Sequence, residues 1–332
     1  MAFFVTRRLW RPKNNVLCLA FTFFSSVWVI TTVVILRLQE NYQGAWYTVG
    51  RARRESDRSP GVTAAPGVQA IVGYYEGALP GSKQVTFTQE ELNINQYSPV
   101  PGMGEMGRPV KMNAVEEVRS MKLFAINQFN IVASDLMAVN RSLPDVRHQD
   151  CRKLTYDTDL PSASVIIVFH NEAWSTLIRT VMSVINRSPR HLLREIILID
   201  DDSKREFLNQ TLDAYVSQLS VLTKVLRSRQ RIGLVKARLM GAKNATGQVL
   251  IFLDSHCECT TGWIEPLLLR IKQDRTAVVC PVIDVINDKT FQFQKGIETY
   301  RGGFNWHLQF RWYSPSSSTI EKLEKDSTAP MK

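Results

Sequence analysis

The chain has 332 residues, of which 44% are hydrophobic, and a formal net charge of +10. This length exceeds one typical domain, so we expect one large domain with non-globular parts, and the apolar content is sufficient for a packed core. No predicted element combines a basic face with interleaved aromatic side chains. The composition therefore predicts no binding of nucleic acid.

Residues 16–36 form an uncharged, mostly apolar run that as a helix would cover roughly 30 Å, the thickness of a bilayer core. Residues 1–15 before it are basic, so we expect a signal-anchor with these residues in the cytosol and the later ones in a lumen. A cleaved signal peptide is the alternative, but no clear small-residue cleavage site follows. A buried core helix is disfavoured, because the following residues offer little apolar surface to cover it.

A luminal placement changes the meaning of several residues. The Asn-X-Ser/Thr sequons at Asn140, Asn209 and Asn244 become candidate glycosylation sites, while Pro189 is expected to hinder the sequon at Asn186. Disulfides are also permitted in such a compartment.

Four cysteines lie outside the apolar run. Two of them, Cys257 and Cys259, follow His256 and suggest zinc. We disfavour a zinc site, because no second Cys/His pair occurs at zinc-finger spacing.

Residues 37–110 contain Gly/Pro, Ser and Arg clusters with little apolar periodicity, which predicts a flexible stem. A globular domain is expected over 111–332, starting with helical spacing in 112–138. Strands and helices then alternate, which predicts an α/β fold with a doubly wound, mostly parallel sheet. Strands are predicted over 165–169, 195–199, 221–226, 249–253 and 277–285, and helices over 175–186, 207–219, 234–245 (with Gly247 as C-cap) and 262–273.

The most informative segment is the end of the strand at 249–253. Asp254 and His256 follow it two residues apart, so in an extended segment their side chains point the same way. They would lie at the carboxyl end of a strand, where α/β sheets bind ligands. A carboxylate oxygen and an imidazole nitrogen suit a divalent ion such as manganese. A solvated Asp followed by a loop His is the alternative.

Three further strand ends carry polar residues: 170–172, 200–203 and 229–234. Singly they are weak signals, since Asp202 or Ser203 could cap a helix and an Arg before a Gly turn is often solvated. Together they describe a nucleotide site, with carboxylates for base or ribose and Arg for phosphate. No glycine fingerprint follows the first strand, so a nicotinamide enzyme is disfavoured. A kinase or nucleotidase is set aside because the chain has no phosphate-cradling glycine loop.

Six motifs in order resemble the polypeptide N-acetylgalactosaminyltransferases over roughly residues 125–332. They are Phe169-His-Asn-Glu-Ala-Trp-Ser-Thr-Leu, Glu195-Ile-Ile-Leu-Ile-Asp-Asp, Phe252-Leu-Asp-Ser-His-Cys-Glu-Cys, Trp263-Ile-Glu-Pro-Leu-Leu, Val279-Cys-Pro-Val-Ile-Asp-Val-Ile and Gly302-Gly-Phe-Asn-Trp. The resemblance implies a GT-A fold in the Golgi, anchored as a type II membrane protein. It also implies UDP-GalNAc as donor, Mn²⁺, and Ser/Thr hydroxyls of proteins as acceptors, with retention of configuration.

Residue by residue, the resemblance implies that Asp254 and His256 bind the metal and that Asp201, Arg231 and Ser255 lie in the donor site. No catalytic group is assigned. Val168 matches a position at which some relatives carry a hydroxyl that touches uridine, so that contact would be apolar here.

The family pattern continues with Thr-Met-Ala-Gly-Gly and Trp-Gly-Gly-Glu-Asn segments, a further metal-binding His, a lectin domain and the implied disulfide partner of Cys151. The printed sequence ends at Lys332 before them. We therefore expect no GalNAc transfer by residues 37–332 alone. A membrane-anchored, catalytically inactive binding or regulatory protein is the alternative to an active transferase.

Overall fold

The structure, a computed structural model, describes residues 93, 95–296, 301–307 and 309–330. The predicted cytoplasmic tail and membrane anchor, residues 1–36, lie outside the described residues. In the part of the chain that is described, no helix has the length and apolar character needed to cross a membrane.

The end of the predicted stem, residues 95–110, makes specific contacts with the domain. The Ser98 and Val100 N–H groups donate to the carbonyls of Asp135 and Leu136, and Val110 is buried. A 3₁₀ turn lies at Glu105–Gly107. Ordered structure thus begins before residue 110, because this segment has both apolar and backbone partners.

The helical spacing in 112–138 corresponds to two helices, α1 (Ala114–Asn127) and α2 (Ile131–Asp135). A capping box between Asn113 and Glu116 starts α1. Gln128 adopts a left-handed conformation with φ 62° that ends it. The predicted helical character of 112–138 is confirmed, and the break at residue 128 is a feature that the spacing alone did not reveal.

The centre of the domain is a four-stranded parallel sheet. After α2, the chain forms α3 (Gln149–Lys153), β1 (Ala163–Phe169), α4 (Trp174–Arg187), β2 (Leu193–Asp200), a 3₁₀ turn (Glu206–Leu208), α5 (Gln210–Val216), β3 (Thr223–Arg227), α6 (Leu234–Asn244) and β4 (Val249–Asp254). The strand order in the sheet is β3-β2-β1-β4. The predicted α/β alternation is confirmed, except that the helix predicted over 207–219 is a 3₁₀ turn followed by the shorter α5.

Alternate residues of the strands pack on opposite sides of the sheet. Val165 and Ile167 of β1 belong to a buried cluster with α4 and α5, whereas Ile166 packs with Ala237 of α6. Helices therefore cover both faces, as a doubly wound sheet requires.

Gly247 does not cap α6, which ends at Asn244 with Ala245 as its cap residue. A Cβ on Gly247 would lie 2.5 Å from the Ser164 backbone nitrogen. The glycine is therefore needed for a close backbone approach between the start of β4 and β1.

The strand predicted over 277–285 is wrong for residues 277–284. Val278 is fully exposed and Ile283 is 61% exposed. Within the described residues β4 is the edge strand of the parallel sheet, and residues 277–284 do not pair with it. An apolar β-branched run becomes a strand only where it finds a hydrogen-bonding neighbour. The remaining elements are α7 (Ile264–Gln273), the antiparallel pairs β5 (Val285–Ile286) with β6 (Phe293–Gln294) and β7 (Arg301–Phe304) with β8 (Phe310–Tyr313), and α8 (Ser317–Lys325).

Candidate donor and metal site

The polar strand ends meet at one edge of the sheet. Strand order reverses between β1 and β4, because β2 and β3 lie on one side of β1 and β4 lies on the other. The crevice outside the carboxyl ends of strands at such a switch point is the usual ligand site of open α/β sheets. Val168 of β1 is paired in register with Asp254 of β4, so the predicted metal-ligand segment starts at this crevice.

Asp254 is the last residue of β4, and its side chain is 58% exposed. Its Oδ1 lies 3.1 Å from Nη2 of Arg238 on α6. The carboxylate is thus accessible from solvent and forms an ion pair with Arg238.

His256 lies two residues further on and is also half-exposed. Its Nδ1 lies 3.0 Å from Oε2 of Glu172, while its Nε2 has no hydrogen-bond partner within the described part of the chain. The hydrogen bond with Glu172 raises the pKa of His256, against a smaller opposing effect of burial. The free Nε2 is the nitrogen available to a metal.

Ser255 lies between these two residues but is buried, with 5% of its surface exposed. Its hydroxyl donates to Glu172 Oε2 at 2.7 Å, so its Oγ is directed into the protein. A role of Ser255 in donor binding, as the sequence predicts, would therefore fall to its main chain.

A row of hydroxyl side chains on α4 holds the loop that follows β4. Thr180 Oγ1 donates to the Ser255 carbonyl at 2.9 Å, and Ser183 Oγ accepts from the Cys259 N–H at 2.9 Å. Thr176 Oγ1 lies 3.1 Å from Glu172 Oε1. These three positions are four and three residues apart, so they share one face of the helix, and all three are buried.

Asp201 follows β2 and is almost fully buried. Its Oδ1 accepts a 2.7 Å hydrogen bond from the Ile232 N–H, and its Oδ2 accepts a 3.1 Å bond from the Gly233 N–H. The carboxylate thereby fixes the turn that leads into α6. Asp201 therefore stabilises this turn, in addition to being a candidate contact for the donor.

Arg231 lies in the same turn and is half-exposed, with Nη1 3.2 Å from Asp201 Oδ2. The structure thus brings together two of the three residues predicted to lie in the donor site. The remaining guanidinium nitrogens face outward and can bind phosphate or base.

The loop after β1 completes this edge. His170 Nδ1 lies 2.8 Å from the Asp201 carbonyl, and its Nε2 lies 3.0 Å from Asn171 Nδ2. Burial, with the positive charge of Arg231 as a smaller contribution, lowers the pKa of His170. The imidazole is therefore neutral at neutral pH, with Nδ1–H donating and Nε2 accepting. Ser203 caps no helix; its hydroxyl accepts from the Asn171 N–H.

The donor atoms present fit a divalent cation of intermediate hardness. One exposed carboxylate and one imidazole with a free nitrogen are ligands that manganese accepts. Among the described residues no group of three or more His, Cys, Asp or Glu side chains is arranged to hold a metal, and Asp254 and His256 remain two candidate ligands. Cys257 and Cys259 are free thiols. Burial raises the pKa of each to about 12, which keeps them protonated.

A family model described as glycosyl transferase family 2 matches residues 164–330. The chain belongs to this family. The match starts at the second residue of β1, and it includes β2, β3, β4 and every predicted site residue.

Among named relatives of this glycosyl transferase family 2 chain, a probable N-acetylgalactosaminyltransferase 6 of Caenorhabditis elegans is 48% identical over 324 residues, covering 97% of this chain and 52% of the relative. Human polypeptide N-acetylgalactosaminyltransferase 13 is 55% identical over 231 residues, covering 70% of this chain and 42% of the relative. The chain thus spans about half the length of these relatives.

A crystal structure of GalNAc-T7 with UDP, GalNAc and Mn²⁺ is 40% identical, with a TM-score of 0.63, and the match covers 67% of this chain and 43% of that one. The predicted GT-A-like α/β fold with a parallel sheet is confirmed by this similarity. The resemblance to polypeptide N-acetylgalactosaminyltransferases is confirmed as well.

The contacts of Glu172 with His256 and of Arg238 with Asp254 could not be predicted from the sequence. The sequence placed Glu172 at a strand end but gave it no partner, since His256 is 84 residues away. Arg238 lies within a predicted helix whose orientation relative to β4 no local pattern reveals.

Proposed function

We propose that this protein binds UDP-GalNAc with Mn²⁺ and serves the transfer of GalNAc to Ser or Thr hydroxyls of proteins, with retention. The observation that carries the proposal is the meeting of Asp254 and His256 with Asp201 and Arg231 at one sheet edge. The names of the relatives and the ligands of the GalNAc-T7 structure supply the substrate class.

Each group at this edge has a defined part in donor binding. Asp254 and His256 Nε2 would hold the cation, which when bound offsets the charge that develops on the leaving diphosphate. Arg231 would bind phosphate or base through its outward nitrogens. Asp201 holds the turn that positions Arg231, and Val168 would line the site with an apolar surface.

Metal-dependent nucleotide binding is the direct test. Binding of UDP to the full chain is measured by titration calorimetry with and without Mn²⁺, and we expect binding only with the metal. Asp254→Ala should abolish it, whereas Asp274→Ala, outside the site, should leave it unchanged. UDP binding that is independent of Mn²⁺ and of Asp254 would contradict the proposal.

The group-transfer step is tested separately with sugar-labelled UDP-GalNAc and a Ser/Thr peptide. Label on the peptide that disappears with Asp254→Ala would demonstrate transfer. Binding of UDP without transfer would favour the alternative of a binding or regulatory protein.

We also propose that the chain is a Golgi type II membrane protein anchored by residues 16–36. The charge distribution around that run supports this orientation. The candidate sequons at Asn140, Asn209 and Asn244 are exposed, so a luminal domain could carry N-glycans. A shift in electrophoretic mobility after glycosidase treatment of the membrane fraction checks the orientation, and its absence in a triple Asn→Gln variant is the control.

A further inference from the structure

The carboxylate of Glu172 connects the loop after β4 to the start of α4, directly beside the proposed metal site. Oε2 accepts from Ser255 Oγ at 2.7 Å and lies 3.0 Å from His256 Nδ1. Oε1 accepts from the Ala173 N–H at 2.9 Å. The Glu172 residue is only 9% exposed, so the side chain is enclosed by these donors and is not a ligand of the crevice itself.

The contact between Glu172 Oε2 and His256 Nδ1 determines which ring nitrogen carries the proton of a neutral His256. An ionised carboxylate only accepts hydrogen bonds, so His256 Nδ1 must carry the proton that it shares with Glu172. The other ring nitrogen, Nε2, then has a free lone pair. A metal ligand needs this neutral form with one bare nitrogen, and a hydrogen bond at the opposite nitrogen commonly selects it.

We propose that Glu172 is the positioning residue of the metal site: it fixes the Nδ1–H tautomer and the ring orientation of His256, so that Nε2 faces the cation. This inference rests on the metal role of His256 in the proposed function. It adds a residue from the loop after β1 to a site whose proposed ligands are the last residue of β4 and a residue of the turn that follows.

The start of α4 holds the Glu172 side chain in place. It immediately precedes α4, whose N-cap residue Ala173 donates to Oε1, and the Thr176 hydroxyl lies 3.1 Å from the same oxygen. Thr180 on the same helix binds the Ser255 carbonyl. The His256 ring, through Glu172, and the loop that carries it, through Thr180, are therefore both held by α4.

Glu172→Gln changes the tautomer with little change of shape. The Ala173 N–H can only donate, so the Gln carbonyl oxygen must take the place of Oε1 and the amide NH₂ must take the place of Oε2. That NH₂ group donates toward Ser255 Oγ, which can accept, and toward His256 Nδ1, which can accept only without a proton. The proton of His256 then moves to Nε2 and blocks the nitrogen offered to the metal.

The tautomer is read by ¹⁵N NMR of the full chain labelled in its five histidines, at alkaline pH and without metal. We expect the Nδ1–H form of His256 in the wild type and the Nε2–H form in Glu172→Gln. Mn²⁺ affinity, measured from the free-ion EPR signal, should fall about 10- to 100-fold in the variant, the usual effect of losing such a hydrogen-bond partner.

Glu195→Gln is the matched control. Glu195 is a fully buried carboxylate that accepts from Ser164 Oγ and Thr246 N at the start of the sheet. Its substitution should weaken folding but leave both the His256 tautomer and the Mn²⁺ affinity unchanged.

An Nε2–H tautomer in the wild type would overturn the inference without any variant, and so would an unchanged Mn²⁺ affinity in a folded Glu172→Gln protein. Either result would leave metal-dependent UDP binding, and hence the proposed function, standing. Absence of Mn²⁺ binding by the wild type would overturn both.

Discussion

Arg141 and Glu258 form a bidentate ion pair inside the protein, with Nε–Oε2 and Nη2–Oε1 distances of 2.9 and 2.8 Å. Their side chains are 0% and 4% exposed. Glu258 lies two residues beyond His256, and Arg141 Nη1 also donates to the Phe291 carbonyl at 3.0 Å. The pair thus joins the metal-site loop to two distant segments of the chain.

Arg141→Met is expected to lower the free energy of unfolding by about 3–5 kcal/mol, because Glu258 would remain buried without its bidentate partner. Urea denaturation followed by tryptophan fluorescence measures this. The double variant Arg141→Met/Glu258→Leu removes both charges and should recover most of the loss. Equal stability of the single and double variants would show that the buried charge is not the cause.

Thr180→Val tests the hydroxyl row on α4. Valine has the shape of threonine but cannot donate, so the Ser255 carbonyl would lose its 2.9 Å hydrogen bond. We expect a loss of about 1–3 kcal/mol in unfolding free energy together with weaker Mn²⁺ binding. Ser217→Ala, which removes an exposed hydroxyl bonded within its own helix turn, is the control and should change neither quantity. A loss of stability with unaltered Mn²⁺ affinity would separate the row from the metal site.

The position of Asp254 and His256 beside each other at the sheet edge could be predicted because they are close in the sequence. The two residues are two positions apart at the end of an apolar run; β4 ends at Asp254 and residues 255–256 form a turn instead of the extended segment that the sequence predicted, yet the charge of Asp254 still acts on His256. The α/β alternation gave the parallel sheet, and the sheet then brought Asp201 and Arg231 to the same edge. Local periodicity and one topological rule were sufficient for these four residues.

Contacts between distant segments could not be predicted in this way. Thr176, Thr180 and Ser183 form a polar row that is typical of a solvent-facing helix surface, yet the loop after β4 covers them. For residues 277–284 the error is the opposite one: the apolar run predicted a strand, but in the described structure it pairs with no neighbouring strand. The burial of the hydroxyl row and the absence of this strand both depend on which distant segment packs against them, and a local sequence pattern does not encode that.

The raised pKa of the buried Asp135 leads us to expect a pH-dependent free energy of unfolding. Burial raises its pKa to about 6 from 3.8, against opposing effects of Ser175 and Arg179. The folded state therefore favours the protonated acid, and this stabilisation, complete below about pH 4, is lost as the pH rises through 6. The unfolding free energy of Asp135→Asn relative to wild type should rise by about 2–3 kcal/mol between pH 4 and pH 8. Urea titrations across this range measure the difference; parallel pH profiles would contradict the assignment.

Arg231 and Asp201 touch each other but are expected to respond differently to substitution. Arg231 is half-exposed, so Arg231→Ala should change the unfolding free energy by less than about 0.5 kcal/mol while lowering Mn²⁺-dependent UDP affinity about tenfold, or about 1.4 kcal/mol. Asp201→Asn places an NH₂ group opposite the Ile232 or Gly233 N–H, so it should cost about 1–3 kcal/mol of stability as well as UDP affinity. Calorimetric UDP titration and urea unfolding of both variants separate the two effects. If Arg231→Ala destabilised the fold as much as Asp201→Asn, the guanidinium would be a structural partner of the turn and not a donor contact.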